Sequence, residues 1–308
     1  MPVGAWKRRV AYAVLSLGAA AALIEVTAHI RVGRLRAERA YLGDRLYTEI
    51  RGQGDPVVFL AGLPATTRFW QGAFDPLAKT RRLIFVDNLG FGRSPLPDAE
   101  YTLEDHLGAL HRTLVAQGAT RRVTLVGHST GALLAAYYGA RHPDEVEHLF
   151  LLGTPVFEDE REAREHIREM SSMAGVFSLN PILARETCKL HEATLSPALA
   201  RLVQWSRPDT PPEVAREGLL HTWRSFDGTL RNVVLSKPVA AALERIGPKV
   251  TFVHGRADHI TSLERVQALA AATGARVMIT EDDHISYPRN SAVRILEAIE
   301  SSVRKEKE

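Results

Sequence analysis

The chain has 308 residues, 45% hydrophobic and 24% charged, an ordinary globular composition that suits one large domain or one domain with an insertion. Its formal net charge of +3 comes from the first forty residues, where Lys7, Arg8, Arg9, Arg31, Arg34, Arg36 and Arg39 outnumber Glu25 and Glu38; no basic stripe is left for nucleic acid, and no nucleic-acid partner is expected. A single cysteine, Cys188, rules out an intramolecular disulfide and a cysteine-rich metal site.

The basic residues flank an uncharged run from Val10 to Ile24. Fifteen helical residues cover about 22 Å, short of the roughly 30 Å hydrocarbon core. Carrying the run on to Ile30 reaches spanning length but includes Glu25. The arginines that follow resist translocation. Residues 1–40 are therefore expected to be an uncleaved single-pass membrane anchor with a basic linker, associating with the membrane through residues 10–30, its side left open. The alternative is a signal cleaved near Val26-Thr27-Ala28, which would leave a periplasmic or secreted protein. An Ala-rich helix packed on the domain would need a polar face that residues 10–24 lack.

From residue 41 to 308 the pattern is that of one α/β domain. Short apolar runs predict strands at Leu46–Arg51, Val57–Leu60, Leu83–Asp87, Val123–Gly127, His148–Leu152, Val250–His254 and Arg276–Thr280. Several are continuous (VVFL, LIFV, VTLV, LFLL), as in parallel strands buried on both faces. Helical stretches lie between them, roughly at 67–79, 103–117, 130–142, 262–273 and 289–303. The alternation stops over about 156–235, where Pro181, Pro197, Pro208, Pro211 and Pro212 divide an Arg-, Glu- and Leu-rich segment into short helices. An all-helical insertion there reads as a cap over the strand ends, where open α/β sheets bind ligands. Its apolar residues Met170, Met173, Val176, Phe177, Leu179, Ile182, Leu183, Trp205, Trp223 and Phe226 are expected mostly to form the cap's own core, with some lining a pocket.

Gly127-His128-Ser129-Thr130-Gly131 follows the VTLV strand and opens a helix whose first turns are small. Glycines on either side permit a tight strand–turn–helix that lifts the serine oxygen clear of the sheet. The amides of the helix start then face developing negative charge. A serine needs a base, and the base needs an orienting acid. Val250–His254 runs into Gly255-Arg-Ala-Asp258, and Arg276–Thr280 runs into Glu281-Asp-Asp-His284. Nucleophile, acid and base thus stand in order at three strand ends, as Ser129, Asp258 and His284. Among the other histidines, His128, His142 and His148 lie on or beside core elements, His106 and His111 fall in a helix, and His259 abuts the acid. Asp282 and Asp283 are too close to His284 in sequence to aim at its ring. The Thr130 amide, with that of Leu63 in the Ala61-Gly62-Leu63-Pro64 loop, is the expected oxyanion hole.

With AGLP (61–64), DNLGFGRS (87–94), GHSTG (127–131), GRAD (255–258) and DHISYP (283–288), residues 45–303 resemble the α/β-hydrolase superfamily, particularly its capped bacterial members. The resemblance implies an α/β fold with a mainly parallel eight-stranded sheet, a helical cap and no cofactor or metal. It gives the DNLGFGRS loop a structural role beside the site. Serine at 129 disfavours the relatives that use aspartate as nucleophile, the haloalkane dehalogenases and epoxide hydrolases. Two departures stand out: Ala61-Gly62 where His-Gly is frequent, and three acids before His284 where glycines are common. The expected activity is hydrolysis of a small-molecule acyl ester, with a lean to lipophilic ones. Perhydrolase or haloperoxidase-like, lactonase and thioesterase activities use the same triad and stay open. A non-catalytic binding module is disfavoured because all three triad candidates are present.

Overall fold

The computed structural model describes residues 3–70, 72–169, 180–195, 200–201, 204–205, 210–244, 246 and 249–304, the side chains of 3–15, 17, 194–195 and 303–304 excepted. Seven strands form one sheet: β1 (Thr48–Arg51), β2 (Pro56–Leu60), β3 (Arg82–Val86), β4 (Val123–His128), β5 (Val146–Leu152), β6 (Val250–Gly255) and β7 (Arg276–Thr280). Their spatial order is β1-β3-β2-β4-β5-β6-β7. Only β1 runs antiparallel to its neighbour; the remaining pairs are parallel. The seven sequence runs account for all of them. The eighth strand implied by the resemblance has no counterpart among the described residues, where the chain ahead of β1 is helical.

Every residue of β2, β4 and β5 is buried. Side-chain alternation along a strand distributes them to two cores. Val58 and Leu60 pack with Leu107, Leu110 and Leu114 of α2 (Leu103–Ala116) and Leu133 of α3 (Thr130–Arg141). Val57 and Phe59 face the other way, against Phe69, Trp70 and Phe74 and the carboxy-terminal pair Ile295 and Ile299. Thr102 starts α2 through a reciprocal capping box with Asp105. The stretch expected as one helix over 67–79 is two 3₁₀ turns, Thr67–Trp70 and Asp75–Lys79.

Between β5 and β6 the described residues are helical: α4 (Glu160–Glu169), α5 (Pro181–Leu190) continued by a π turn (His191–Leu195), α6 (Pro212–Glu217), α7 (Trp223–Thr229), a second π turn (Leu230–Leu235) and α8 (Ala240–Leu243). Pro181 sits in the first turn of α5 and Asn180 caps it through the Leu183 amide. Phe226 packs with Ala163, Ile167, Leu230 and Leu235 as a small satellite core, whereas Ile182, Leu183 and Trp205 are exposed. Met170, Met173, Val176, Phe177 and Leu179 lie outside the described residues.

The amino terminus corrects the sequence reading. Residues Val3–Arg39 form one helix, α1, but among the described residues no helix is long and apolar enough to cross a membrane. The expected anchor, and the membrane-anchored location drawn from it, are overturned. The physical reason lies in the residues needed to reach spanning length. Glu25 pairs with Lys189 of α5, Ala28 is buried, and Arg31 donates to the carbonyls of His191 (2.9 Å) and Glu192 (3.1 Å). Further on, Arg36 and Arg39 bond the carbonyls of Leu96 and Ser94. From Glu25 onward α1 is docked on the domain, which leaves only the 10–24 run, too short to cross. The side chains of 10–15 and 17 in that run lie outside the described residues.

Candidate active site

Ser129 stands between the end of β4 and the first residue of α3, with φ 53 and ψ −117. A non-glycine residue there stores about 1–3 kcal/mol of strain. The surroundings hold it: its amide donates to the Leu152 carbonyl of β5 at 2.9 Å, and its carbonyl accepts from Ala132 at 2.9 Å. The flanking glycines are required by close approach. A Cβ on Gly127 would lie 2.3 Å from the Gly131 carbonyl oxygen, and one on Gly131 would lie 2.1 Å from that of Leu60.

Asp258 and His284 follow β6 and β7, and the structure brings them together. The His284 Nδ1 donates to Asp258 Oδ2 at 2.9 Å. That oxygen also meets the hydroxyls of Thr261 and Tyr287, each at 2.9 Å. The other oxygen accepts from the amides of Ile260 (2.9 Å) and Thr261 (3.0 Å). Burial pushes the Asp258 carboxyl up, but the His284 bond and charge and the two amides outweigh it and hold it well below the usual carboxylate range. His259 is exposed. The three acids before His284 are engaged elsewhere: Glu281 with Arg256 at 3.3 Å, buried Asp282 with the hydroxyls of Ser286 and Ser291, and Asp283 with the Ile285 amide.

Ser129 and His284 line one cavity of about 280 Å³ with Leu63 and His128. Its walls are mostly apolar: Pro64, Ala65 and Phe69 from the loop after β2, Pro211, Val214, Ala215 and Leu219 from the insertion, and Ile285 and Pro288 after His284. Thr130 begins α3 directly beside Ser129. The loop carrying Leu63 lacks the frequent histidine, but Asn88 of DNLGFGRS donates to the Ala61 carbonyl at 2.8 Å and braces it. Asp87 shapes that loop by accepting the amides of Thr67 (2.6 Å) and Arg93 (2.8 Å). Burial nevertheless pushes its carboxyl up to about 6, against those two bonds.

Three contributors escaped the sequence reading. Tyr287 and Thr261 complete the Asp258 cradle; Tyr287 lies within DHISYP, and Thr261 carries no signal of its own. His128, assigned to the core, donates from Nε2 to the His284 carbonyl at 2.6 Å. Its ring stacks on Phe69 at 4.5 Å and lies 4.7 Å from the His284 ring. Burial, then the neighbouring His284, lowers its pKa to about 3, so it is a neutral clamp between β4 and the His284 loop. A larger, polar cleft of about 630 Å³ contains neither Ser129 nor His284. At its edge the buried Glu217 of α6 accepts from Arg93 (2.7 Å), Arg68 (3.4 Å) and Thr66 (3.2 Å).

Residues 55–288 match the family model described as the alpha/beta hydrolase fold. The probable lysophospholipase BODYGUARD 1 of Arabidopsis thaliana is 29% identical over 261 residues, 75% of this chain and 55% of that protein. A cis-3-alkyl-4-alkyloxetan-2-one decarboxylase of Shewanella oneidensis is 31% identical over 118 residues, 37% of each chain. The chain thus spans about half or less of the length of these curated relatives. Among solved structures, a carboxylesterase of Nitrososphaera gargenis superposes with a TM-score of 0.66 at 19% identity, covering 85% of this chain and 96% of that one. An esterase of Exiguobacterium antarcticum gives 0.62 at 21%, covering 84% and 95%. At these identities the structural likeness speaks for the fold, and the family model covers most of the chain: it belongs to the α/β-hydrolase family.

Proposed function

We propose that the chain is a serine hydrolase that cleaves carboxylic esters through an acyl-enzyme on Ser129. The observation that carries this reading is a serine held at a strained elbow in the same cavity as His284, whose Nδ1 is bonded to the buried Asp258 at 2.9 Å. His284 takes the Ser129 proton at Nε2 as Oγ attacks the ester carbonyl. The amides of Leu63 and Thr130 receive the oxyanion, each contributing about 3–4 kcal/mol. His284 then protonates the departing alcohol, and water releases the acid by the reverse route. Asp258 keeps Nδ1 protonated and offsets the imidazolium charge.

The helical insertion acts as a cap, since Pro211, Val214 and Leu219 wall the cavity over the serine. An apolar wall of this kind favours a lipophilic acyl chain, and the lysophospholipase description of one relative points the same way. The deciding experiment is labelling with a fluorophosphonate. Wild type is expected to label stoichiometrically and Ser129→Ala not at all; a folded wild type that fails to label is a binding module. A series of p-nitrophenyl esters then reads the acyl preference, with kcat/KM rising from acetate toward medium chains.

A further inference from the structure

A second group of chemically competent side chains lies away from the serine, beneath α1. Cys188 of α5, His191 of the π turn that follows, and His221 just before α7 are all buried. One ligand atom from each comes within 4.8 Å of the others. The geometry points to a structural transition-metal site of the zinc class, built by Cys188, His191 and His221 and tying the two halves of the helical insertion together. The sequence excluded only a cysteine-rich site; one thiol with two imidazoles is a different donor set, suited to Zn²⁺.

The orientation of His221 carries the argument. Its Nδ1 lies 3.0 Å from the Gly218 carbonyl, so Nδ1 bears the proton and Nε2 presents its lone pair. That lone pair looks toward Cys188 Sγ at 3.9 Å. A backbone carbonyl fixing one imidazole nitrogen while the other meets the ion is the usual support of a metal-bound histidine. With metal–sulfur and metal–nitrogen bonds of about 2.3 and 2.0 Å, tetrahedral ligands stand about 3.6 Å apart, so the pair needs to close by only a few tenths of an ångström. His191 is the third donor, and a tetrahedral ion keeps a fourth position for water. The His191 Nε2 faces the His221 carbonyl at 3.3 Å, and the ring is also bonded to the Thr187 backbone. A neutral imidazole has one N–H, so only one of these two contacts can be a donated hydrogen bond, and the other nitrogen is free to turn its lone pair to an ion.

Binding displaces the thiol proton: M²⁺ and the Cys188 thiol give the metal thiolate and H⁺. The rings of His191 and His221 stand 4.6 Å apart at 55°, which lets their edges converge on one point. By contrast, His111 and His142, beside Glu145, are stacked at 4.3 Å and 6°, so no single ion can lie in both ring planes.

The full-length protein is loaded with Zn²⁺, dialysed, and assayed for bound metal by atomic emission; Co²⁺ loading is followed by absorption. About one Zn²⁺ per chain, a rise in Tm on loading, and a thiolate-to-cobalt charge-transfer band are expected. Cys188→Ser should lose the band and retain less than a tenth of the zinc, and His221→Asn should do the same. Wild type that holds no zinc, or Cys188→Ser that holds as much as wild type, overturns the site. Should the variants not fold, the cobalt spectrum of wild type decides alone, since absence of the thiolate band refutes it. None of the three residues lines the Ser129 cavity, so this outcome is independent of the hydrolase reading.

Discussion

Replacing Asp258 by asparagine puts the proposed relay to its sharpest test, because the donors around the carboxylate dictate which way the amide must point. The two amides on Oδ1, from Ile260 at 2.9 Å and Thr261 at 3.0 Å, are fixed in direction. On Oδ2 stand the His284 ring and two hydroxyls, all able to accept instead of donate. The asparagine oxygen is therefore drawn to the Oδ1 side and its NH₂ to the side facing His284. His284 must then present a bare Nδ1 and carry its proton on Nε2, where it cannot take the proton of Ser129. The wrong tautomer costs about 10⁴ in kcat, or about 5.5 kcal/mol, while losing charge-assisted bonds lowers stability by about 1.5–3 kcal/mol. Steady-state hydrolysis of a p-nitrophenyl ester, with a urea melt to verify folding, reads both. A folded Asp258→Asn enzyme within tenfold of wild-type kcat refutes the reasoning. The carboxylate also leaves a pH signature. Its pKa lies below the ordinary 3.8, so it stabilises the fold above pH 3.8 and this contribution is lost as acid titrates it below that; the asparagine variant lacks this part of the acid limb.

Gly131→Ala places a methyl group 2.1 Å from the Leu60 carbonyl oxygen, which should cost about 1–3 kcal/mol of overpacking and displace the serine; a lowered urea midpoint together with lost turnover checks it, and an unchanged midpoint counts against the close approach. Asn88→Ala leaves the buried Ala61 carbonyl without its 2.8 Å donor, at about 1–3 kcal/mol; kcat should fall about tenfold with KM little changed, and a change confined to KM would contradict the bracing role. Burial lowers the His106 pKa from 6.5 to about 4. The unfolded chain then binds more protons between those values, so stability is full above pH 6.5 and falls as pH drops toward 4. The urea midpoint should decline over that window, and His106→Gln, which keeps a partner for Thr229 (3.0 Å from Nε2 in wild type), should flatten the decline.

The strands were legible because continuous apolar runs such as VVFL and LFLL mark burial on both faces, and each became a fully buried strand. The candidates Ser129, Asp258 and His284 could be picked out because each follows a strand, although β7 ahead of His284 is only partly buried. What surrounds them was not. Tyr287 and Thr261 reach Asp258 across loops whose closure no local pattern encodes. His128 looked like a core residue because it is one; its bond to the His284 carbonyl joins residues 156 positions apart. The amino terminus misled for a related reason. Glu25 and Arg31 read as charges interrupting or flanking a membrane span, while their partners, Lys189 and the His191 carbonyl, sit in a segment with which they share no sequence periodicity. His221 likewise lies thirty positions beyond His191, with no motif to join it to Cys188 and His191.

Glu217 gives the insertion a mechanical connection to the chemistry. Its carboxylate, on α6, is held by Thr66 and Arg68, just beyond the Leu63 loop, and by Arg93 of the loop that braces it. The same short helix supplies Val214 and Ala215 to the cavity wall. If α6 lifts to admit a bulky ester, it pulls on the segment that carries a proposed oxyanion donor. Substrate admission and assembly of the oxyanion hole then become two phases of one motion, fastened by charge. Because Glu217 is buried, added salt would loosen that fastening far less than it would an exposed ion pair.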